Sequence, residues 1–201
     1  MDGYFDLGAH SFPVSTASAE AQLWFDRGLL WTYGYNHEEA VACFDRAIDA
    51  DPGCAMAHWG KGYAAGPNYN MPWDLFDKAG REAALTAGRA CAHAALERVA
   101  GVTAWEAALI RALPARYPQD EPADLEVMKG WNTDFADAMR MAYGAHSGNL
   151  EICTVFAESL LNVTPWKMWD LPSGTPAPGA LTVEAQTVLE TAMAELPGAM
   201  G

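Results

Sequence analysis

One glutamate, one histidine and a group of amide and aromatic side chains are the residues of this sequence best suited to binding or catalysis. They are His58, Trp59, Tyr63, Asn68, Asn70, Glu158, Asn162 and Trp166. A glutamate and a histidine can hold a divalent metal ion together, and a carboxylate can exchange a proton with a substrate that amides orient. We therefore take Glu158 as the candidate catalytic base, His58 with Glu158 as a candidate metal pair, and the remaining six as a candidate ligand-binding groove.

Each candidate also has a structural interpretation, which stays open at this point. His58 lies at a packing position of its helix, and aromatic residues at helical spacing usually belong to a core. Asn68 and Asn70 suit a tight turn, and Glu158 could cap a helix or form a salt bridge. The five histidines show neither HxxxH nor HExxH spacing, and the chain has no P-loop and no GxSxG motif.

The helices that position these residues are predicted by a repeat that runs from Ala21 to Pro52. Counted from Ala21, the fourth, eighth, eleventh, twentieth, twenty-fourth, twenty-seventh and thirty-second places hold Trp24, Gly28, Trp31, Ala40, Phe44, Ala47 and Pro52. This is the spacing of a 34-residue tetratricopeptide repeat, in which small residues let two antiparallel helices approach and aromatic residues fill the space around them. Arg27 departs from the pattern, because the family usually has leucine there.

The rest of the chain is predicted to continue as helical hairpins. A second repeat begins at Ala55 and is interrupted by a loop over 66–72, and further helices are predicted over 75–99, 103–116, 124–145, 150–163 and 183–196. We predict an all-α fold of antiparallel tetratricopeptide-type hairpins stacked into a short right-handed solenoid. Its parts are an N-terminal extension over 1–17, a helical domain over 18–170, a Pro/Gly-rich linker over 171–181 and a C-terminal helix over 182–201.

The repeat predicts which residues face the concave groove. Places two, five, nine and twelve of the first helix in each pair usually do so. These are Gln22, Phe25, Leu29 and Thr32 in the first repeat, and Met56, Trp59, Tyr63 and Gly66 in the second. In a degenerate repeat that begins at Leu150, place nine is Glu158, and Asn162 lies one turn further along the same face. The sequence therefore predicts an aromatic groove with a few polar groups, which suits a peptide or a small molecule.

Composition limits the partners of the protein. The 201-residue chain has 26 acidic residues against 12 lysines and arginines, a net charge of −14, so it would repel a nucleic acid. It has no signal peptide and no apolar run near the ~20 residues that span a bilayer, which predicts a cytoplasmic protein without a membrane partner. The four cysteines are widely spaced and are expected to be reduced thiols packed in helices.

The chain also resembles a family of longer bacterial and fungal tetratricopeptide-repeat proteins. The resemblance rests on the Gly66–Asn70 segment and on Ala157–Asn162 running into Pro165–Asp170. It implies that this chain corresponds to the N-terminal half of such a protein, which continues into a histidine-bearing segment. A site that needs those later histidines would then be absent here or completed by another chain.

Two functions are compatible with these observations. The first, which we favour, is a binding scaffold that docks a protein or peptide partner in its aromatic groove. The second is an enzyme, or half of one, with a small-molecule pocket in that groove that could contain a divalent metal. An unfinished last hairpin would leave apolar surface uncovered, so we also expect a homodimer that buries the C-terminal helix.

Overall fold

The computed structural model of the chain describes residues 3–195, and over this range the protein is mostly α-helical. The all-α class predicted from the sequence is therefore confirmed. The helices are α1 (Ala19–Tyr33), α2 (His37–Ala50), α3 (Ala55–Ala64), α4 (Lys78–Glu97), α5 (Ala104–Ala112), α6 (Leu125–His146), α7 (Leu150–Leu161) and α8 (Thr182–Glu195). A 3-10 turn over Leu113–Arg116 extends α5, and strands β1 (Trp169–Asp170) and β2 (Thr175–Pro176) form a small antiparallel hairpin between α7 and α8.

The helix ends follow local sequence signals. Thr103 and Glu106 form the predicted capping box at the start of α5. The Asn36 side chain accepts a hydrogen bond from the Glu39 backbone N–H at 3.4 Å, which starts α2. Helix α2 ends at Ala50, two residues before Pro52, as predicted from the missing proline N–H.

The contact between the first two helices is built on glycine and phenylalanine. A Cβ atom added to Gly28 would lie 2.7 Å from Cε1 of Phe44, so only glycine lets the ring approach this closely. The Phe25 ring completes this part of the core, with its centroid 5.7 Å from that of Phe44. Trp24 and Trp31, which the repeat places here, are instead only partly buried and contact aromatic residues of the N-terminal segment.

Successive helices pack against each other along the chain: α1 on α2, α2 on α3, α3 on α4, α6 on α7 and α7 on α8. Helix α8 is also tied to α6, because Glu184 accepts two hydrogen bonds from Arg140 at 2.7 and 2.9 Å. The β1–β2 hairpin, which the sequence did not reveal, crosses the predicted boundary: β1 forms the end of the predicted helical domain, and β2 lies in the predicted linker. The end of the predicted C-terminal helix and the first two residues lie outside the described range.

The N-terminal segment before α1 is irregular and is fixed to α1 and α5 by hydrogen bonds. The Phe12 backbone donates to Asp26 at 2.9 Å and accepts from the Gln22 amide at 2.9 Å. Further along, the Ser15 backbone and hydroxyl donate to the buried carboxylate of Glu106 at 2.6 and 2.5 Å. These contacts hold residues 7–12 beside α1, where they form one wall of the cleft described below.

Two smaller points complete the fold. The four cysteines are free and buried; three lie in helices as predicted, whereas Cys54 precedes α3 as its N-cap residue.

Among the helices of the described range, none combines the length and the apolar character needed to cross a membrane.

Candidate functional site

A cleft of about 660 Å³ lies between α1, α7 and the N-terminal segment. We call it the acidic cleft, because it contains two glutamates. Its polar lining consists of His10, Thr32, Tyr33, Tyr35, Glu151, Thr154 and Glu158, and its apolar lining includes Leu7, Phe12, Leu30, Leu150, Ala157, Leu161 and Leu189. The cleft therefore joins an apolar wall to a carboxylate-bearing one, which is the usual composition of a ligand pocket.

Helix α7 positions both carboxyl groups. The side chain of Asn149 caps this helix by accepting from the Ile152 backbone N–H at 3.0 Å, so Glu151 lies in the first turn. Glu158 follows seven residues later, which is two turns along the same helix face. Thr154 lies between them on that face, and its hydroxyl donates to the Leu150 carbonyl at 2.9 Å.

The end of α1 supplies two tyrosines to the opposite wall. The hydroxyl of Tyr33, the last residue of α1, donates a hydrogen bond to Oε1 of Glu151. Tyr35 has a left-handed backbone with φ of 59°, which is uncommon for a residue other than glycine and carries a cost in free energy. Its ring is stacked 5.8 Å from that of His37 and stays half exposed at the cleft.

Burial changes the acidity of these groups. Burial raises the pKa of Glu151 to about 7, and the hydrogen bond from Tyr33 offsets only part of this effect. Burial likewise raises the pKa of Glu158 to about 7, with a partial offset from the neighbouring Asn162 amide. Burial and the two nearby carboxyl groups raise the pKa of Tyr33, whereas burial, Glu158 and Tyr69 raise that of Tyr35.

The cleft therefore has two carboxyl groups that change charge near neutral pH, each beside a tyrosine. Such a group can take up or release a proton at neutral pH, as general acids and bases do. When ionised, it can also neutralise a cation that enters the cleft, while the tyrosine faces attract the same cation. Perturbed carboxyl groups in a cleft are typical of functional sites.

Of the eight candidate site residues, Glu158 is the one that lines the acidic cleft, and Thr32, predicted to face the concave groove, lines it as well. Asn162 ends α7, and its amide lies beside Glu158. Trp59 and Tyr63 are instead buried in the core, where their rings stack with centroids 5.1 Å apart. They are therefore not an open aromatic groove.

The remaining candidates have structural partners. Oδ1 of Asn68 accepts from the backbone N–H groups of Asn70 and Met71 at 2.9 and 3.0 Å, which is the tight-turn role considered above. Asn70 itself is exposed. Trp166 is 65% exposed, has φ of 64°, and packs its ring 5.2 Å from that of Tyr69.

Among the described residues, the candidate metal pair of His58 and Glu158 is not part of a group of three or more metal-binding side chains. Nε2 of His58 lies 3.1 Å from the carbonyl oxygen of Pro52, and burial lowers the pKa of this histidine. Within residues 3–195, no group of three or more histidines, cysteines, aspartates or glutamates is placed to hold a metal ion.

Glu151, Thr154 and the two tyrosines were not identified from the sequence. The sequence signal for Glu151 and Thr154 lies in the repeat that begins at Leu150, where these residues occupy the second and fifth places. The same groove rule that selected Glu158 at the ninth place would have selected both. Nothing comparable in the sequence pointed to Tyr33, whose contact with Glu151 joins residues 118 positions apart.

A second depression of about 600 Å³ lies on the surface between α4 and the loop before α6. Its charged lining has both signs, and Lys78 and Glu82 lie 3.9 Å apart as a solvent-exposed pair within α4. Exposed pairs of this kind are common on helix surfaces and contribute little energy. The acidic cleft is therefore the candidate functional site.

The fold and the site together define an all-helical protein with an acidic, tyrosine-lined cleft. Comparison of the chain with family models, with curated proteins and with solved structures finds no match. The resemblance to tetratricopeptide-repeat proteins consequently rests on the residues of this chain.

Proposed function

We propose that the protein is a tetratricopeptide-type binding scaffold whose acidic cleft holds a lysine side chain of a protein or peptide partner. The scaffold part is supported by the α1–α2 hairpin with its Gly28–Phe44 contact and by the packing of successive helices, as expected for a right-handed solenoid. The cytoplasmic location and the homodimer expected from the sequence belong to the same proposal.

The observation that carries the ligand assignment is the pair of carboxyl groups on one face of α7. Glu151 and Glu158 both line the cleft, and each is close to a tyrosine of the α1 end. An ammonium group would replace the protons that these carboxyl groups hold at neutral pH, and it would restore favourable charge pairing in a partly buried site. The aliphatic part of a lysine side chain would pack on the apolar wall of the cleft.

Net charge supports the same assignment. With a formal charge of −14, the protein attracts basic partners over long distances and speeds their encounter with the cleft at low salt. The cleft volume of about 660 Å³ accommodates a side chain with part of its peptide backbone. A lysine-bearing segment therefore satisfies the charge, the shape and the apolar wall together.

The test is calorimetric titration with two capped peptides, one with a central lysine between alanines and one with norleucine in its place. We expect the lysine peptide to bind better than the norleucine peptide. Its affinity should rise between about pH 6 and about pH 8, because cation binding releases protons from carboxyl groups with a pKa near 7. Titration in buffers of different ionisation enthalpy measures the released protons directly.

A glutamine variant and a matched control locate the binding. Glu158→Gln should weaken the lysine peptide about tenfold, as expected for loss of one charge-assisted contact. Glu38→Gln, which changes an exposed glutamate of α2 outside the cleft, should bind as the unmodified protein does. Equal binding of the norleucine peptide, or an unchanged affinity in Glu158→Gln, would refute the proposal.

An enzymatic function is the second candidate, because Glu158 has a pKa of about 7 and is well placed for proton transfer at neutral pH. In this version Glu158 is the general base and the Asn162 amide orients it. Mass spectrometry of the titrated compounds distinguishes the two functions. A scaffold returns its ligand unchanged, whereas an enzyme yields a product that Glu158→Gln does not form.

A further inference from the structure

A guanidinium group is buried in the protein without a carboxylate partner. Arg116, in the 3-10 turn after α5, is 1% exposed and forms no ion pair with any residue of the described range. It donates to the carbonyl oxygens of Tyr63, at 3.3 Å, and of Pro67. Its Nε atom is buried and has no hydrogen-bond partner. Carbonyl groups satisfy some of its donors, but its positive charge has no negative charge to balance it.

Two aromatic rings lie against this group, and one of them belongs to a tyrosine whose hydroxyl has no partner. The Cζ atom of Arg116 lies 5.1 Å from the ring centroids of both Tyr63 and Phe135. Trp59, one turn before Tyr63 on α3, stacks on the tyrosine ring with an interplanar angle of 8°. The indole N–H of Trp59 and the hydroxyl of Tyr63 are both buried and lack partners. We call Trp59, Tyr63 and Arg116 the Arg116 cluster.

His37 adds a neutral group to this neighbourhood. Burial lowers its pKa, and the charge of Arg116 lowers it further. Both ring nitrogens are shielded from solvent and have no partner. A histidine held neutral in this way supplies one donor and one acceptor, but it supplies no negative charge.

We propose that the Arg116 cluster binds the carboxylate of a small monoanionic molecule. The cluster presents one positive charge and at least three unpartnered donors: the Arg116 Nε–H, the Trp59 indole N–H and the Tyr63 hydroxyl. A planar carboxylate accepts such donors and balances one guanidinium charge. Water molecules would satisfy the donors but would leave the charge uncompensated.

Two observations set the class of anion. One guanidinium matches one negative charge, and the net charge of −14 opposes the entry of a dianion such as phosphate. Trp59 and Arg116 are each only 1% exposed, so the bound group must be enclosed and small. Formate and acetate meet both conditions. The site is separate from the acidic cleft, because no residue of the Arg116 cluster lines that cleft.

The experiment is calorimetric titration of the full chain with sodium formate and with sodium acetate, and with sodium chloride as the comparison anion. We expect one carboxylate to bind per chain and to raise the melting temperature, whereas chloride at equal ionic strength does neither. Tyr63→Phe removes a hydroxyl that has no protein partner, so the variant should fold normally. It should weaken carboxylate binding about tenfold, through loss of one hydrogen bond to a charged group.

Tyr117→Phe is the matched control. This buried tyrosine hydroxyl donates to the Gly62 carbonyl at 2.7 Å, so its removal should lower stability and leave carboxylate affinity unchanged. Carboxylate binding that is lost in Tyr63→Phe and kept in Tyr117→Phe supports the site. Absence of saturable binding, equal stabilisation by chloride, or an unchanged affinity in Tyr63→Phe would each overturn it.

Discussion

The Glu151→Gln substitution should change how the stability of the protein depends on pH. Burial raises the pKa of the Glu151 carboxyl from 4.5 to about 7, so the folded chain keeps a proton that the unfolded chain releases at lower pH. The stabilisation from this proton is fully present below the unfolded pKa and is lost as the pH rises through the folded pKa. Since one pKa unit corresponds to about 1.4 kcal/mol, the total loss is about 3 kcal/mol.

Glutamine keeps an oxygen that can accept the hydrogen bond from Tyr33, but it cannot ionise. The free energy of unfolding of Glu151→Gln, relative to the unmodified protein, should therefore increase by about 2 to 3 kcal/mol between about pH 5 and about pH 8. Urea denaturation followed by circular dichroism at several pH values measures this difference. Histidine titration affects both proteins equally and cancels.

The exposed Glu38→Gln variant provides the control for this experiment. The difference in the free energy of unfolding between this variant and the unmodified protein should stay nearly constant over the same pH range. If the Glu151→Gln difference is equally constant, Glu151 is ionised in the folded protein at ordinary pH, and the reasoning from its burial is wrong.

Three further predictions concern packing, the N-terminal segment and assembly. Gly28→Ala should destabilise the protein by about 2 kcal/mol, because the added Cβ clashes with Phe44. Gly130→Ala should stabilise it by about 1 kcal/mol, because the added Cβ meets nothing within 4 Å and alanine favours the helix. Urea denaturation of both variants measures this contrast. Glu106→Ala should lower the free energy of unfolding by about 3 kcal/mol and speed amide hydrogen exchange at Ser15, because it removes the acceptor of both Ser15 and Thr103. Unchanged exchange at Ser15 would contradict this prediction. Sedimentation should detect a dimer through the exposed face of α8, and a monomer at micromolar concentration would disprove that expectation.

Much of the fold could be predicted because its signals are local. The capping box of Thr103 and Glu106, the proline after α2 and the loop after α3 each act within a few residues, and they fixed the helix ends closely. The N-terminal segment could not be placed in this way. Its bond from Ser15 to Glu106 joins residues 91 positions apart, and only tertiary structure brings them together.

The site was predictable in part for the same reason. Helical periodicity predicted Glu158 as a groove residue, and the same periodicity contained Glu151; both side chains line the acidic cleft. It could not show that Trp59 and Tyr63 are buried, because this depends on how α1, α2, α4 and the 3-10 turn pack around α3. The aromatic groove expected from the sequence is therefore core in the structure, and the cleft is acidic.

The most direct test of the central claim is a carboxyl carbon-13 NMR titration of Glu151 and Glu158, assigned with the two glutamine variants. Without ligand, both carboxyl groups should titrate with a pKa of about 7. With the lysine peptide bound, both pKa values should fall, because the ammonium group stabilises the ionised carboxylates. Ordinary pKa values near 4.5 in the free protein, or values that the lysine peptide leaves unchanged, would contradict the proposed role of the acidic cleft.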